Sequence, residues 1–294
     1  MTTKNLNSLT TAITHGSVFH SDDVFATALL MMLIPGVVVK RINDKAAAAE
    51  LDKNEDTIVY DIGEGEYDHH QKDNTRRPIE DGYWFDKEGR MQLIPYCSFG
   101  LLWRDFGHNL CQSDKAWKKV DQTLVLPIDK ADNGVDRNTL SGAISQFNPV
   151  WNADNSDEGR FEAFMTAVRL AMPILKAYID SANADVAAED MVLESNVVDG
   201  KILVLDKYVP WQDVVIEQMP EVLYVVFPSA RGGYNVQTVP DAPGSFNGRK
   251  LFPTKWLGNP DASLGMTFCH PGNFLLATET LEQAVNCARI AAAV

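Results

Sequence analysis

The chain has 294 residues, ordinary hydrophobic content (45%) and a net charge of −14. The length is generous for one core and comfortable for two domains. The acidic balance argues against broad binding to duplex nucleic acid, and no apolar run is long enough to span a bilayer, so no membrane partner is expected.

The predicted elements begin with a strand over Thr11 to His15. A helix follows over Asp22 to Ile34, with Val24, Phe25, Ala28, Leu29 and Met32 on one stripe. Gly36 to Lys40 reads as a second strand, Asp44 to Leu51 as a short Ala-rich helix, and Thr57 to Asp61 as a third strand ending in a carboxylate. This alternation predicts an open parallel α/β sheet. Gly63 to Glu66 reads as a turn, and Lys72 to Gln92 as a long loop or hairpin. Ser98 to Phe106 and Ala116 to Leu126 read as helices, and Ile128 to Asn133 as a tight acidic element. Ser156 to Ser195 is a long helical connector. Beyond it, Lys201 to Leu205, Val222 to Pro228 and Tyr234 to Val239 are strand-like, and Trp211 to Gln218 and Leu281 to Ala293 helical. The reading is therefore a first domain with its connector over residues 1–195 and a smaller mixed α/β domain over residues 196–294.

The N-terminus has no basic region followed by an apolar core, so no secretory signal is expected. Cys97, Cys111, Cys269 and Cys287 are scattered and form no C-x-x-C pair. A disulfide framework or a zinc knuckle is not expected, and four free thiols point to a reducing, cytoplasmic setting.

Four of the six histidines fall into two tight groups. His15, His20 and Asp22 follow the first strand. Asp68, His69 and His70 follow the third, which Asp61 ends. In an open α/β sheet, ligands gather outside the carboxyl ends of the strands. These segments therefore bring imidazoles and carboxylates to one crevice, with Asp129 or Asp132 as a further ligand. Taken singly, His15 reads as a surface or capped residue, Asp61 as a turn cap and Asp68-His69-His70 as a solvated loop; only their coincidence at strand ends points to a metal site. Mixed imidazole and carboxylate donors suit manganese, zinc or iron better than calcium. Two such ions can clamp the attacking and leaving oxygens of a phosphoryl displacement, and Asp61 is the natural bridging carboxylate.

At these residues the sequence resembles the DHH phosphoesterase superfamily, named for the triplet present as Asp68-His69-His70. It is most similar to the branch called the melanocyte-proliferating-gene (MYG) exonuclease family. The similarity lies in Thr14 to Asp22, Val59 to Gly63, Tyr67 to Gln71 and Asp129 to Gly134. It continues in Val236 to Pro240, Ser245 to Lys250 and Cys269 to Gly272. The resemblance implies a DHH-type catalytic domain over residues 1–195 and a substrate-binding domain over 196–294. It implies two divalent ions, manganese above all, and 3′-to-5′ exonuclease activity on single-stranded RNA or short oligonucleotides. Carried over by position, His15, His20 and Asp61 hold one ion, and Asp22, Asp61, His69 and Asp132 the other. Asp61, Asp68 and His70 form the catalytic group, with His70 facing the substrate phosphate and Asp68 orienting a neighbouring histidine. His20 stands where many DHH enzymes have an aspartate, and the glycine-rich block of many DHH partner domains is absent. Arg249 and Lys250 are candidates for gripping phosphate, with Gln237, Ser245 and His270 lining the same cleft. Alternatives are a small substrate (a cyclic dinucleotide, a nucleoside bisphosphate or pyrophosphate) and a non-catalytic regulator stabilised by metal. A homodimer is left open.

Overall fold

The computed structural model describes residues 4–71, 74–245 and 247–294. Lys72 and Asp73, at the start of the expected loop, and Phe246, within one of the matching segments, lie outside the described residues. The chain divides into two compact units, one ending at Asn183 and the other beginning at Ala184.

The first unit opens with β1 (Thr11–His15), α1 (Ser21–Leu33), β2 (Val38–Ile42), α2 (Lys45–Leu51) and β3 (Thr57–Val59). The strands form a parallel sheet in the order β2-β1-β3, as the alternating pattern predicts. From β1 the chain crosses first to one neighbour and then to the other, so the order reverses between β1 and β3. That is where open α/β sheets leave a crevice at their carboxyl ends. His15 is the last residue of β1, and Asp61 lies two residues past β3.

Two strand boundaries differ from expectation. β2 begins at Val38 rather than Gly36, because Gly36 sits at φ +86° in the turn after α1. β3 ends at Val59. Tyr60 then bridges Tyr67, and Asp61 adopts a left-handed conformation at φ +57°. Gly63 follows at φ +88°, where a Cβ would approach Ala48 Cβ and Ala49 N to 3.1 Å. The chain thus turns tightly over α2 before reaching Asp68.

Next come the hairpin of β4 (Tyr83–Phe85) and β5 (Met91–Leu93) and the helix α3 (Ser98–Phe106). The helix and the separate acidic element expected over 116–133 are one continuous run: α4 (Asp114–Val120), a π-turn (Asp121–Val125) and α5 (Leu126–Asp132). Pro127 explains the difference. It lacks an N–H and crowds the carbonyl four residues back, and the wider π-turn absorbs both without ending the helix. A short α6 (Thr139–Ser145), not expected from the sequence, starts at Asn138, whose side chain accepts from Ser141 N at 3.0 Å. Finally α7 (Asp157–Leu193) runs 37 residues with Pro173 inside it.

At the centre of this unit lies α1, which packs against α3, α5 and α6. Every residue from Ser21 to Leu30 is buried. A helix buried on all sides has no solvent face for Asp22, Asp23 and Thr27, so each must find an internal partner.

The second unit contains β6 (Asn196–Val198), β7 (Ile202–Val204), α8 (Gln212–Gln218), β8 (Tyr224–Pro228), β9 (Tyr234–Thr238), β10 (Met266–Cys269), β11 (Leu275–Thr278) and α9 (Leu281–Ala293). Its mixed sheet runs β10-β11-β9-β8-β7-β6, with β7 and β8 the parallel pair. β6, β10 and β11 are three or four residues long, too short to leave a clear alternation in the sequence. On one face, Ala284, Cys287, Ala288 and Ala291 of α9 pack with Val226, Val236, Leu276 and Trp256. On the other, Val214 and Val215 of α8 pack with Leu203, Val225 and Phe227. Ala188 and Val192 join this second core. The last turns of α7 are thus buried with the second unit, which begins at Ala184. Among the described residues no helix is long and apolar enough to cross a membrane.

Candidate metal centre

The carboxyl ends of β1 and β3 bring His15 and Asp61 together. His15 Nδ1 lies 2.9 Å from Ser17 Oγ, which leaves Nε2 to face inward. That nitrogen is 3.1 Å from Asp61 Oδ2 and 3.2 Å from Asp23 Oδ2. The other oxygen of Asp61, Oδ1, is 3.1 Å from His69 Nε2 and 3.5 Å from His70 Nδ1. Asp61 thus turns one oxygen to each side of the crevice. His69 Nε2 also lies 3.3 Å from Asp132 Oδ2 and 3.6 Å from Asp22 Oδ2.

Among the described residues, three groups of side chains have donor atoms close enough to hold a cation: His15 with Asp23 and Asp61, Asp61 with His69 and His70, and His20 with Asp22 and Asp132. Every expected ligand is in one of them. The grouping differs from the expected pairing, since His20, exposed at the start of α1, falls with Asp22 and Asp132 rather than with His15 and Asp61. Sequence reasoning misses Asp23. Its Oδ1 accepts from His20 N at 2.9 Å, an N-terminal cap of α1, while Oδ2 faces the crevice. The available signal was a second acid directly after Asp22, in a helix too apolar to offer it a wet face.

The residues fit a divalent metal. Asp22 Oδ1, Asp23 Oδ2 and Asp61 Oδ1 are buried and accept no aligned hydrogen bond, even where an imidazole lies within ion-pair range. Anionic oxygens buried this way are costly without a cation or a proton. Protonation shows the same strain. Burial, then the Asp22 and Asp61 charges, push Asp132 up to about 9. Burial and the Asp61 charge raise Asp22, and burial raises Asp23 to about 6. Burial alone would lower His15 and His69, but Asp23 and Asp61 lift His15 to about 10, and Asp61, Asp22 and Asp132 lift His69 to about 9. Asp61 moves the other way: against the effect of burial, His15 and His69 hold it below the usual carboxylate range. Without metal the crevice neutralises itself with protons, the alternative to cation binding in a site of this composition.

Behind these groups stands a layer of hydrogen bonds. Ser98 Oγ, at the start of α3, donates to Asp22 Oδ2 at 2.7 Å. Asp68 Oδ1 lies 2.9 Å from His70 Nδ1 and accepts from His70 N at 3.1 Å, while Oδ2 accepts from Glu64 N at 2.8 Å. Asp68 therefore orients His70, whose side chain remains more than half exposed.

The structure separates Asp129 from Asp132. Asp129 is fully buried, accepts from Cys97 N at 2.9 Å and pairs with Arg77 Nε. Arg77 also donates to Asp121 at 2.7 and 2.8 Å and to Asp81 at 2.9 Å. Asp132, nearly one turn further along α5, reaches the crevice. Gly100 leaves the space that the Asp129 carboxylate occupies; a Cβ there would overlap both of its oxygens. Gly100→Ala is expected to cost about 1–3 kcal/mol, the usual range for overpacking. A chemical-denaturation midpoint unchanged from wild type would contradict it.

The candidates of the second unit fare differently. Arg249 donates to the carbonyls of Met219 (2.7 Å), Val222 (2.9 Å), Ile216 (3.0 Å) and Val215 (3.2 Å), closing the end of α8. Lys250 Nζ donates to Ala292 O at 3.0 Å, at the end of α9. Both cations are thus engaged with carbonyls at or just past the ends of α8 and α9. His270 Nδ1 accepts from Gly272 N at 2.9 Å, and its ring packs on Phe274 with centroids 4.5 Å apart. Ser245 Oγ accepts from Asn247 N at 3.0 Å, and Gln237 lies on β9 between Val225 and Leu275.

A family model described as MYG1_exonuc, uncharacterised protein family (UPF0160), matches residues 11–292. Among curated proteins, the chain is 28% identical to MYG1 exonuclease of Rattus norvegicus over 94% of this chain and 83% of that protein. It is 27% identical to MYG1 exonuclease of Homo sapiens, over 94% and 84%. It is also 27% identical to the MYG1 protein of Chlamydia trachomatis, over 93% and 94%. No solved structure matches the chain. With nearly its whole length matched, the chain belongs to the MYG1 exonuclease family.

Proposed function

We propose that the protein is a metal-dependent phosphodiester hydrolase of the DHH type, acting as a 3′-to-5′ exonuclease on single-stranded RNA or short oligonucleotides. The observation that carries this reading is Asp61, which offers one oxygen beside His15 and the other beside His69, with one buried oxygen on each of Asp22, Asp23 and Asp61 accepting no hydrogen bond. Relatives named exonucleases over most of their length support a nuclease-type activity.

His15, Asp23 and Asp61 on one side, and His20, Asp22, His69 and Asp132 with Asp61 on the other, would hold two divalent ions; the donor set suits manganese, zinc or iron, and the family resemblance favours manganese. When bound, such a pair brings water towards a pKa of about 7 and offsets charge on the phosphate. The chain's own part is positioning. Ser17 and Ser98 fix His15 and Asp22 from behind. Asp68 holds His70 Nδ1, which leaves Nε2, when protonated, to donate to a phosphate oxygen.

The test is a time course on 5′-labelled single-stranded RNA with Mn2+, beside a cyclic dinucleotide, a nucleoside bisphosphate and pyrophosphate. Stepwise shortening from the 3′ end is expected. RNA left intact while a small ester turns over would reject the exonuclease reading.

Metal uptake is also expected to release protons. Without metal, neighbouring carboxylates raise His15 and His69, and burial raises Asp132, so the crevice holds protons at pH 7 that the free groups would not. Ligation requires neutral imidazole and ionised carboxylate, so metal uptake releases protons at pH 7, and fewer as the pH rises. Apparent Mn2+ affinity therefore rises from pH 6 to 8. Titration calorimetry in two buffers of different ionisation enthalpy measures the release; identical heats in both would contradict it.

A further inference from the structure

The acidic crevice cannot attract a nucleic-acid strand by itself, and Arg249 and Lys250 are engaged at helix ends. The first unit offers other cations. Two clefts open on the metal centre, and His20 lines both. One, of about 260 Å³, is walled by His15, Asp61 and His70 on the inside and by Ser17, Asn43 and Lys45 further out. The second, of about 510 Å³, runs from Asp132 past Arg137, Asn138, Ser141 and Ser145.

Lys45 and Arg137 are exposed, and neither side chain has an ion-pair or hydrogen-bond partner among the described residues. The acids beside them are already occupied. Asp44 accepts from Ala46 N and Ala47 N, and Asp136 from Arg137 N at 2.7 Å. The chain that lines the second cleft continues, a few residues past Ser145, to an exposed aromatic residue. Just after Ser145, Asn148 clamps both the N–H (3.0 Å) and the carbonyl (2.8 Å) of Phe19, the neighbour of His20. Three residues on, Trp151 stands 92% exposed. An indole so fully in water, on a segment tied beside the metal centre, contributes nothing to the core. It does offer a face on which any base can stack.

We propose that the two clefts form one groove for single-stranded nucleic acid, with Lys45 on a phosphate to one side of the metal centre, Arg137 on a phosphate to the other, and Trp151 stacking on a base beyond Arg137. This rests on the hydrolase reading above and specifies how the substrate lies. Serine and asparagine side chains line the walls between the cations and can accompany the sugar–phosphate backbone without reading sequence. Flanking cations would let the acidic protein hold a strand locally.

The test is fluorescence anisotropy of the full-length protein with a fluorescein-labelled hexaribonucleotide carrying phosphorothioate linkages, in Mn2+, across a salt series. Lys45→Gln and Arg137→Gln are each expected to weaken binding about tenfold, equally for uridine and adenosine hexamers. Each should reduce the slope of log affinity against log salt by about 0.7, the value for one phosphate contact on a single strand. Arg137→Lys should keep the wild-type slope. Trp151→Ala should weaken binding about fivefold or more and leave the slope unchanged. Unchanged affinity and slope in both glutamine variants, with normal wild-type binding, would overturn the groove and leave the hydrolase reading standing. A wild-type protein that does not bind the hexamer would overturn the groove together with the exonuclease reading.

Discussion

Asp61→Asn is expected to lower Mn2+-dependent hydrolysis by about a thousandfold or more while leaving the fold intact. The carboxylate is the group shared between the two sides of the proposed metal pair, lying 3.1 Å from both His15 Nε2 and His69 Nε2. Asparagine keeps the shape but loses the charge, so neither side keeps its common anion. Removing one well-placed electrostatic contact in an enclosed site typically costs 10²–10³ in rate, and loss of a bridging ligand should reach at least the upper end. Asparagine is also among the few residues that tolerate the left-handed backbone at φ +57°. Asp61→Ala should therefore show an added stability loss, about 1 kcal/mol, that Asp61→Asn does not. Initial rates at saturating Mn2+, with near-ultraviolet circular dichroism as the check on folding, give the answer. Wild-type rates in Asp61→Asn would remove the proposed mechanism.

The second large effect concerns stability. Arg77 is 1% exposed and holds Asp81, Asp121 and Asp129 at once. Burial would lower its pKa, yet Asp121 and Asp129 raise it, so the guanidinium stays charged. Burial lifts Asp129 to about 6 even with Arg77 beside it. Arg77→Ala leaves three carboxylates facing one another in the interior. Breaking a buried pair by removing one partner costs about 3–5 kcal/mol. Arg77→Lys should recover only part, because an ammonium cannot reproduce the forked contacts to Asp121. Urea denaturation reads this directly, and a loss below about 1 kcal/mol in Arg77→Ala would show that the cluster is not the tie it is taken to be. The consequence reaches the metal centre. Asp129 fixes α5, which carries Asp132, and Cys97 N, which precedes the Ser98 hydroxyl on Asp22. Arg77→Lys is accordingly expected to weaken Mn2+ binding as well.

Local pattern was enough for several elements. The β1, α1 and β3 periodicities, the parallel sheet and the clustering of His15, Asp61 and the Asp68-His69-His70 triplet at strand ends could all be read from the chain. Strand ends in such a sheet must lie on one edge, so the sequence determines which segments meet. The single run over 114–132 was not legible because the π-turn that carries the helix past Pro127 depends on packing around α5. β10 and β11 were invisible because four residues carry too little alternation to stand out.

What the sequence by itself determined is the inventory of the centre: the imidazoles, the carboxylates and the edge of the sheet that gathers them. What only the tertiary structure decided is how similar residues divide their labour. Asp129 and Asp132 are both acids on α5, but Arg77 claims one and the crevice the other. Asp23 became visible only once α1 was buried on every side, and only the fold showed Arg249 and Lys250 held on carbonyls at the ends of α8 and α9. The reason is physical: a side chain's chemistry is written in its type, but its partners come from segments distant in sequence, and burial dictates which of them it must satisfy.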